Sequence, residues 1–397
     1  MKLTLLLDLD DTLLDTNMQN FIPAYFKALS DTLLDQVSPE IMIPALMNGT
    51  WMMMTKTDPE RTLKEVFDEF FYAKIGVNSV ALRSKIDSFY NEVFPKLEYL
   101  TKQRPDAIEF VNWAIGKNYR IVIATNPLFP LKAIHHRLRW AGLDPEVIPF
   151  SHITSYENSH FTKENDSYFP EILGKLGWVD EPVIMVGNDF KMDIEPAMRS
   201  GLPVYWIKYK EKQAKDCAEP PQGKIKDLQT WLEGIPIDSL YHSILKPSSL
   251  LAMLRSSPAV LEGKLINISE DDLDAHSDQQ GWSIREVVCH LRDVEIEVNI
   301  PRIRKILTND NPYITGEITD RWASERNYAA QNGKTALISF ITARKETLSL
   351  LENLVIEWDR PARHSIFGSY TLHELVGVIA GHDKNHVKQI HNNLLVG

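Results

Sequence analysis

The chain has 397 residues, more than one ordinary hydrophobic core organises, so two or three domains are expected. Its 44% hydrophobic, 24% charged and 9% aromatic residues match folded globular usage and exclude a disordered or collagen-like chain. With 43 Lys+Arg against 54 Asp+Glu, the net charge of -11 leaves no basic footprint for phosphate backbones, and nucleic acid is not an expected partner.

In the first half, strand-like and helix-like segments alternate. Leu3 to Leu7, Ile121 to Ala124, Val183 to Val186 and Val204 to Ile207 are apolar runs short enough for parallel strands buried on both faces. Between them, Asp106 to Ile115 reads as a helix stopped by Gly116, and Pro130 as a first-turn proline before LKAIHHRLRWAG, which Gly142 ends. This is the signature of βαβ packing in an open α/β sheet. From about residue 16 to 100 the strand pattern disappears into helical segments such as RTLKEVFDEFFYAKIG and ALRSKIDSFYNEVF, which read as a helical cap inserted after the first strand. The polar segment EKQAKDCAEPPQGK then leaves the last strand, a short helix is expected around Leu228 to Leu232, and the domain boundary is placed near residue 238. The predicted division is therefore 1–237 (core 1–15 and 101–237, cap 16–100) and 238–397.

From Ser243 onward the pattern is all-helical. Ser283 with Glu286, and Thr371 with Glu374, are capping boxes that open IREVVCHLRDVEIEV and LHELVGVIAGHDKNHVKQIHNNLL. ALISFITARKETLSLLENL and SSLLAMLRSSPAVLEG supply two more helices of a bundle. The two cysteines, Cys217 and Cys289, provide neither a disulfide framework nor a Cys-rich zinc site, which fits a reducing cytoplasm. Asp8 ends the opening apolar run short of a signal-peptide core, and no later run approaches about 18 apolar residues, so a membrane is not an expected partner.

Asp8 and Asp10, in LLLDLDDTL, fall at the carboxyl end of the first strand, where open α/β sheets hold ligands. Two carboxylates one residue apart can divide nucleophilic attack and proton handling, as phosphoryl transfer requires. Thr125 and Asn126 end the strand IVIATN and offer a hydroxyl and a backbone N–H to a phosphate oxygen; Lys163 supplies a compact positive charge. Asp189 and Asp193 follow the strand PVIMV, and with Asp8 and Asp10 they make a set of converging carboxylates that calls for a hard cation, Mg²⁺ foremost.

With these four motifs in this order (DLDDT, IVIATN, Lys163 in TKENDSYF, and VGNDFKMDIEPAMRSG), residues 1 to about 235 resemble the haloacid dehalogenase superfamily of aspartate-nucleophile hydrolases. The resemblance implies that Asp8 attacks phosphorus, that Asp10 protonates the leaving alcohol and then activates water, and that Mg²⁺ and Lys163 offset the developing charge. Asp10 favours phosphate ester hydrolysis, because dehalogenase members generally lack the second aspartate. In place of the usual Gly-Asp this chain has Gly187-Asn188-Asp189, which leaves the direct metal ligand uncertain by one position; Asp189 is favoured, with Asp193 orienting. The cap resembles that of phosphoglycolate phosphatases and some nucleotidases, so a small phosphorylated metabolite is the expected substrate. Trp51 and Met52 to Met54 are read as core sooner than as pocket lining.

In the last helix Leu375, Ile379, His382, His386 and Ile390 form an apolar stripe with histidines in two of its places, and His290 has a similar setting beside Val287, Leu291 and Val294. Imidazoles on an inward face need a partner, and a shared metal satisfies them together. The segments GWSIREVVCHLRD and GHDKNHVKQI resemble the DinB superfamily of YfiT-like metalloenzymes over about residues 241 to 397. That resemblance implies a four-helix bundle holding a divalent metal (Zn²⁺, Ni²⁺ or Fe²⁺) through His290, His382 and His386, in some members transferring small thiols such as bacillithiol or mycothiol, and often forming homodimers. Cys289 is read as core, His373 and His391 as exposed, and Asp383 and Asn385 as solvated-face residues, the alternative being that they orient ligands. The expectation is an Mg²⁺-dependent phosphatase fused to a three-histidine metal bundle. The other readings are a thiol transferase as the main activity, or a non-catalytic metal-binding or dimerisation module.

Overall fold

The computed structural model describes residues 2–209, 219–276 and 281–395; Cys217 and most of the polar segment after the last long strand lie outside them. Two compact units are present, one made of Met1–Thr57, Arg61–Asn165 and Glu181–His242, the other of Asp58–Glu60, Asp166–Asp180 and Ser243–Gly397.

The first unit is built on a six-stranded parallel sheet. Its central strand β1 (Thr4–Leu7) is buried along its whole length, as a strand with neighbours and helices on every side must be. The chain leaves β1 through a short strand β2 (Leu14–Thr16) into four helices, α1 (Met18–Leu33), α2 (Pro39–Thr55), α3 (Leu63–Ile75) and α4 (Ser79–Ser88). A capping box of Thr62 and Glu65 starts α3, and Gly76, at φ 67°, ends it in the left-handed conformation that glycine adopts without steric cost. Strand β3 (Thr101–Gln103) returns antiparallel to β2, so a two-stranded ribbon carries the helical insertion. Next come α5 (Pro105–Gly116), β4 (Arg120–Ile123), α6 (Leu131–Trp140) and β5 (His152–Ile153). Helix α7 (Tyr168–Lys175) belongs to the second unit, after which β6 (Val183–Gly187), α8 (Glu195–Arg199), β7 (Val204–Ile207), β8 (Gln222–Gly223) and α9 (Ile225–Gly234) complete the first.

The strand order is β5-β4-β1-β6-β7-β8, with β1 in parallel register between β4 and β6. All carboxyl ends therefore lie on one edge, and they deliver Asp8, Thr125 and Asn188 to it. The order reverses at β1, the topological switch point at which a crevice opens between neighbouring loops.

The second unit is a helical bundle. Its long elements are α10 (Pro247–Leu265), a continuous run of α11 (Ile284–Val294) and α12 (Ile300–Thr308) joined by a wide turn at Glu295–Asn299, then α14 (Gly333–Leu351) and α15 (Leu372–Leu394). Helix α10 packs on α14 and α15, as does α11, and α7 packs on α10. Both expected capping boxes are formed, Ser283 with Glu286 and Thr371 with Glu374. The all-helical expectation needs one correction. A three-stranded sheet of β9 (Tyr313–Ile314), β10 (Pro361–His364) and β11 (Gly368–Thr371) accompanies the bundle, with short α13 (Trp322–Glu325) after β9. These strands are too short for periodicity to reveal, and the β10–β11 turn depends on Gly368 at φ 75°.

Among the described residues no helix is long and apolar enough to cross a membrane.

Candidate active site and metal centre

At the end of β1 the Asp8 carboxylate is buried, 6% exposed, and both of its oxygens are engaged. Oδ1 accepts from Lys163 Nζ at 2.6 Å, and Oδ2 accepts from Thr12 Oγ1 at 2.8 Å. Lys163 Nζ also donates to Asp193 Oδ1 at 2.6 Å, so one ammonium lies between two carboxylates. Asn126 Oδ1 accepts from the Lys163 backbone N–H at 3.3 Å, tying the end of β4 to the loop that carries the lysine. Thr125 is buried, and its carbonyl accepts from Thr154 Oγ1 at 2.8 Å, which fixes the strand-to-helix turn.

Asp193 Oδ2 accepts from the Asp189 N–H at 3.0 Å. The approach is so close that a Cβ at Gly187 would meet Asp193 Oδ2 at 2.3 Å, which explains glycine at the end of β6. Burial and then the Asp8 charge raise the Asp193 pKa to about 7, against the lowering influence of Lys163.

Asp189 departs from the favoured assignment. Its side chain accepts from the N–H groups of Lys191 at 2.8 Å and Met192 at 3.1 Å, capping the helical run that begins at Phe190, and the residue is exposed. It is Asn188 that faces Asp8. Its terminal amide lies 3.1 Å from Thr12 Oγ1, 2.9 Å from the Asp10 carbonyl oxygen and 3.3 Å from Asp8 Oδ2. With the amide nitrogen turned that way, it donates to these oxygens. With the oxygen turned that way, Asn188 Oδ1, the Asp10 carbonyl and Asp8 Oδ2 converge as a hard oxygen set whose repulsion a cation relieves. The donor chemistry fits a hard cation such as Mg²⁺, which Asn188 and not Asp189 would face from this loop, while the Asp193 carboxylate is engaged by Lys163 and the Asp189 N–H.

The Asp10 carboxylate points elsewhere, into an ion pair with Arg137 of α6. Arg137 is 1% exposed, and its guanidinium lies 5.3 Å from the Phe21 ring and 5.4 Å from that of Phe129. Burial pulls its pKa down to about 10, still charged at neutrality. The motif reading missed this residue, although its signal was present: Ile134, Arg137, Leu138 and Ala141 share one face of α6, so a charge occupies a place in an apolar stripe. Phe129 also lines a cavity of about 590 Å³ between the helical insertion and the sheet, together with Ile22, Tyr25, Leu46, Phe67 and Tyr90. Trp51 is 61% exposed and so not the core residue expected, whereas Met53 is buried; none of Trp51 to Met54 belongs to that lining.

In the second unit His290, His382 and His386 meet as a single cluster. His382 Nε2 lies 3.0 Å from His290 Nε2 and 3.1 Å from His386 Nε2. His386 Nδ1 is 3.0 Å from Gln389 Oε1, an acceptor, so its proton is on Nδ1 and its Nε2 lone pair faces the cluster. Three such nitrogens at this spacing repel unless a proton or a cation lies among them, and among the described residues His290 Nδ1 is itself buried without a partner. Burial first, and neighbouring positive charge second, hold the imidazoles neutral: His290 falls to about 3, with His386 and His382 adding to the effect, His382 to about 4 beside Arg344, and His386 to about 4 beside His382. Neutral, convergent imidazoles fit a divalent transition metal. Trp282 closes one side, its ring parallel to His386 at 6.0 Å.

Beneath the cluster, Arg344 is wholly buried and joins Glu295, at 2.6 Å from Nε, to Asp383. Asp383 is thus a buried ion-pair partner and not the solvated-face residue expected, because it points from α15 toward α14. Asn385 is exposed as expected. His391 is a second correction: its Nδ1 lies 2.9 Å from Lys264 Nζ, and its ring packs over Gly177, so it is held against α10 and the end of α7. Cys289 is fully buried, as core.

The DinB superfamily model matches residues 253–390. This segment is a DinB domain. An inferred metal-dependent hydrolase of Oceanobacillus iheyensis is 28% identical over 134 residues, covering 34% of this chain and 77% of that protein. Among solved structures, YfiT from Bacillus subtilis, inferred to be a metal-dependent hydrolase with an unusual four-helix bundle topology, is 18% identical at a TM-score of 0.36, covering 50% of this chain and 97% of that one. A HAD phosphatase from Thermococcus onnurineus is 18% identical at a TM-score of 0.38 (59% and 99% covered), and a 2-haloacid dehalogenase from Pseudomonas syringae 21% identical at 0.42 (59% and 98% covered). Ahead of the DinB domain, the strand order, the helical insertion after β1 and the meeting of Asp8, Lys163 and Asp193 at the sheet edge give the first unit the HAD-like fold that its motifs imply.

Proposed function

We propose that the first unit is an Mg²⁺-dependent phosphatase that hydrolyses a small phosphomonoester through an aspartyl-phosphate on Asp8. The observation that carries this reading is the position of Asp8 Oδ1 against Lys163, with Oδ2 beside Asn188 and the Asp10 carbonyl. Asp8 is the nucleophile and Lys163, steadied by Asp193 and Asn126, neutralises phosphoryl oxygens. Bound Mg²⁺ supplies charge stabilisation and alignment for the phosphoryl group. Asp10 carries the proton to the leaving alcohol and takes one from water in the second half-reaction, with Arg137 setting the carboxylate's direction. Thr125 and the Asn126 backbone receive a phosphate oxygen. The aromatic cavity beside Phe129 is suited to the organic part of the ester.

The deciding experiment is Mg²⁺-dependent phosphate release from a panel of small phosphomonoesters by the full-length protein, with Asp8→Asn alongside. Turnover lost in the folded variant supports the reading, and turnover retained by the variant ends the nucleophile assignment.

A second reading rests on the neutral, convergent histidines. In it the DinB domain holds Zn²⁺, Ni²⁺ or Fe²⁺ and performs its own chemistry, hydrolysis or transfer of a low-molecular-weight thiol. Metal-dependent consumption of a small thiol by the Asp8→Asn protein, abolished by His382→Ala, separates this activity from the phosphatase.

A further inference from the structure

The β10–β11 hairpin of the DinB domain carries a second group of polar side chains that neither metal chemistry nor the aspartate site uses. Ala362 pairs with Tyr370 and His364 with Gly368, so His364 and Tyr370 are diagonal neighbours on one face of the hairpin. Their rings are 5.6 Å apart at 81°, and both residues are more than nine-tenths buried, His364 at 5% exposure and Tyr370 at 7%.

His364 has a defined tautomer. Its Nδ1 accepts from the backbone N–H groups of Ile366 at 3.1 Å and Phe367 at 3.3 Å, which places the ring proton on Nε2. Among the described residues neither that buried Nε2–H nor the Tyr370 hydroxyl has a partner. Two unpaired donors side by side in one buried place are rare in folded proteins, where such groups are almost always satisfied by protein, water or ligand.

The third member is Arg302 on α12. Its Nη2 donates to the Thr315 carbonyl at 2.9 Å, just past the strand residue Ile314 that pairs with His364. Its charge is felt by both His364 and Tyr370. Among the described residues no carboxylate is hydrogen-bonded or ion-paired to Arg302, His364 or Tyr370; Glu317, whose charge Arg302 also feels, is exposed to solvent. The start of α15 at Leu372, just after Tyr370, is about 15 Å from His382 along the helix at 1.5 Å per residue, so the group is separate from the histidine cluster.

We propose that Arg302, His364 and Tyr370 form a binding site for a small oxyanion group, carboxylate or phosphate. The guanidinium presents a planar fork, the imidazole Nε2–H and the phenol O–H add two directed donors, and no fixed negative charge is paired with them. Phe367, 59% exposed and stacked on His364 at 4.7 Å, provides an apolar surface for the molecule that bears the anion.

The test is calorimetric titration of the full-length protein with inorganic phosphate and, in parallel, acetate, on wild type, Arg302→Met and Tyr370→Phe. Any phosphate held at the Asp8 site is common to all three proteins, so the comparison is independent of the phosphatase reading. The expected result is one binding event, for whichever probe matches the site, that weakens about tenfold or more in both variants, as loss of a charge-assisted donor does. Tyr370→Phe is expected to keep or raise the melting temperature, since it removes a buried hydroxyl with no protein partner. Identical isotherms in the three proteins overturn the proposal. So does a crystal structure grown in phosphate and acetate with only ordered water on His364 Nε2 and Tyr370 Oη.

Discussion

Arg137 and Asp10 form an ion pair in which the guanidinium is withdrawn from solvent, at 1% exposure, while the carboxylate retains 17%. The pairing holds the Asp10 carboxylate on Arg137, while the Asp8 carboxylate bonds Lys163 and is also felt by the Arg137 charge. Arg137→Met removes the group that directs Asp10. We expect the rate of phosphomonoester hydrolysis to fall by about 10- to 100-fold, part of what a positioned acid–base group contributes, with Arg137→Lys in between. Equal rates in steady-state assays of all three proteins would show that Asp10 needs no such partner.

Asn188 and Asp189 make opposite predictions about magnesium. Asn188→Ala removes an oxygen beside Asp8 and is expected to raise the Mg²⁺ concentration for half-maximal activity by tenfold or so, as loss of a liganding or outer-shell group typically does. Asp189→Ala is expected to leave that concentration unchanged and to lower stability by about 1 kcal/mol through loss of the helix cap. Magnesium titrations of the two variants decide between them.

Asp193 makes stability depend on pH in the metal-free protein. Its folded pKa, about 7, is above the ordinary 3.8, so the folded chain keeps a proton that the unfolded chain has released. Stability from this group is full below about pH 4 and is lost as pH rises toward 7. Asp193→Asn should flatten that decline, which melting temperatures between pH 4 and 8 would record. An unchanged slope in the variant would place the titration elsewhere.

The histidine cluster should bind one divalent transition metal per chain. His290→Ala combined with His382→Ala leaves a single imidazole, and elemental analysis of the purified protein should then show no stoichiometric metal. Retention of one equivalent by the double variant would exclude the triad.

Arg344 should be the most sensitive buried charge of the bundle. Replacement by methionine strands Glu295 and Asp383 together without their counter-charge, a loss expected to cost roughly 3–5 kcal/mol. The melting temperature of the DinB domain reads this directly, and a shift of under about 1 °C would mean that water reaches both carboxylates.

Much of this architecture depends on local pattern. The buried runs at β1, β4, β6 and β7, the capping boxes of α11 and α15, and the inward stripe of His382 and His386 are each set within a few residues, where periodicity and end signals act. Cys289 was legible as core for the same reason. The three-stranded sheet beside the bundle was not, because strands of two to four residues carry no usable period and their pairing joins segments far apart in the chain.

The sequence by itself determined which chemical groups arrive at the ends of the strands and on the inner faces of the helices, because strand length and helix period place them there. Tertiary structure alone decided where those groups point once the regular element stops. Asn188 turns toward Asp8 because Asp189 is used as a helix cap, and Asp383 turns inward because Arg344, an arginine in an otherwise apolar stripe, waits on α14. A buried charge must find its partner somewhere in the fold, and that partner is chosen by packing between distant segments, which no local spacing records.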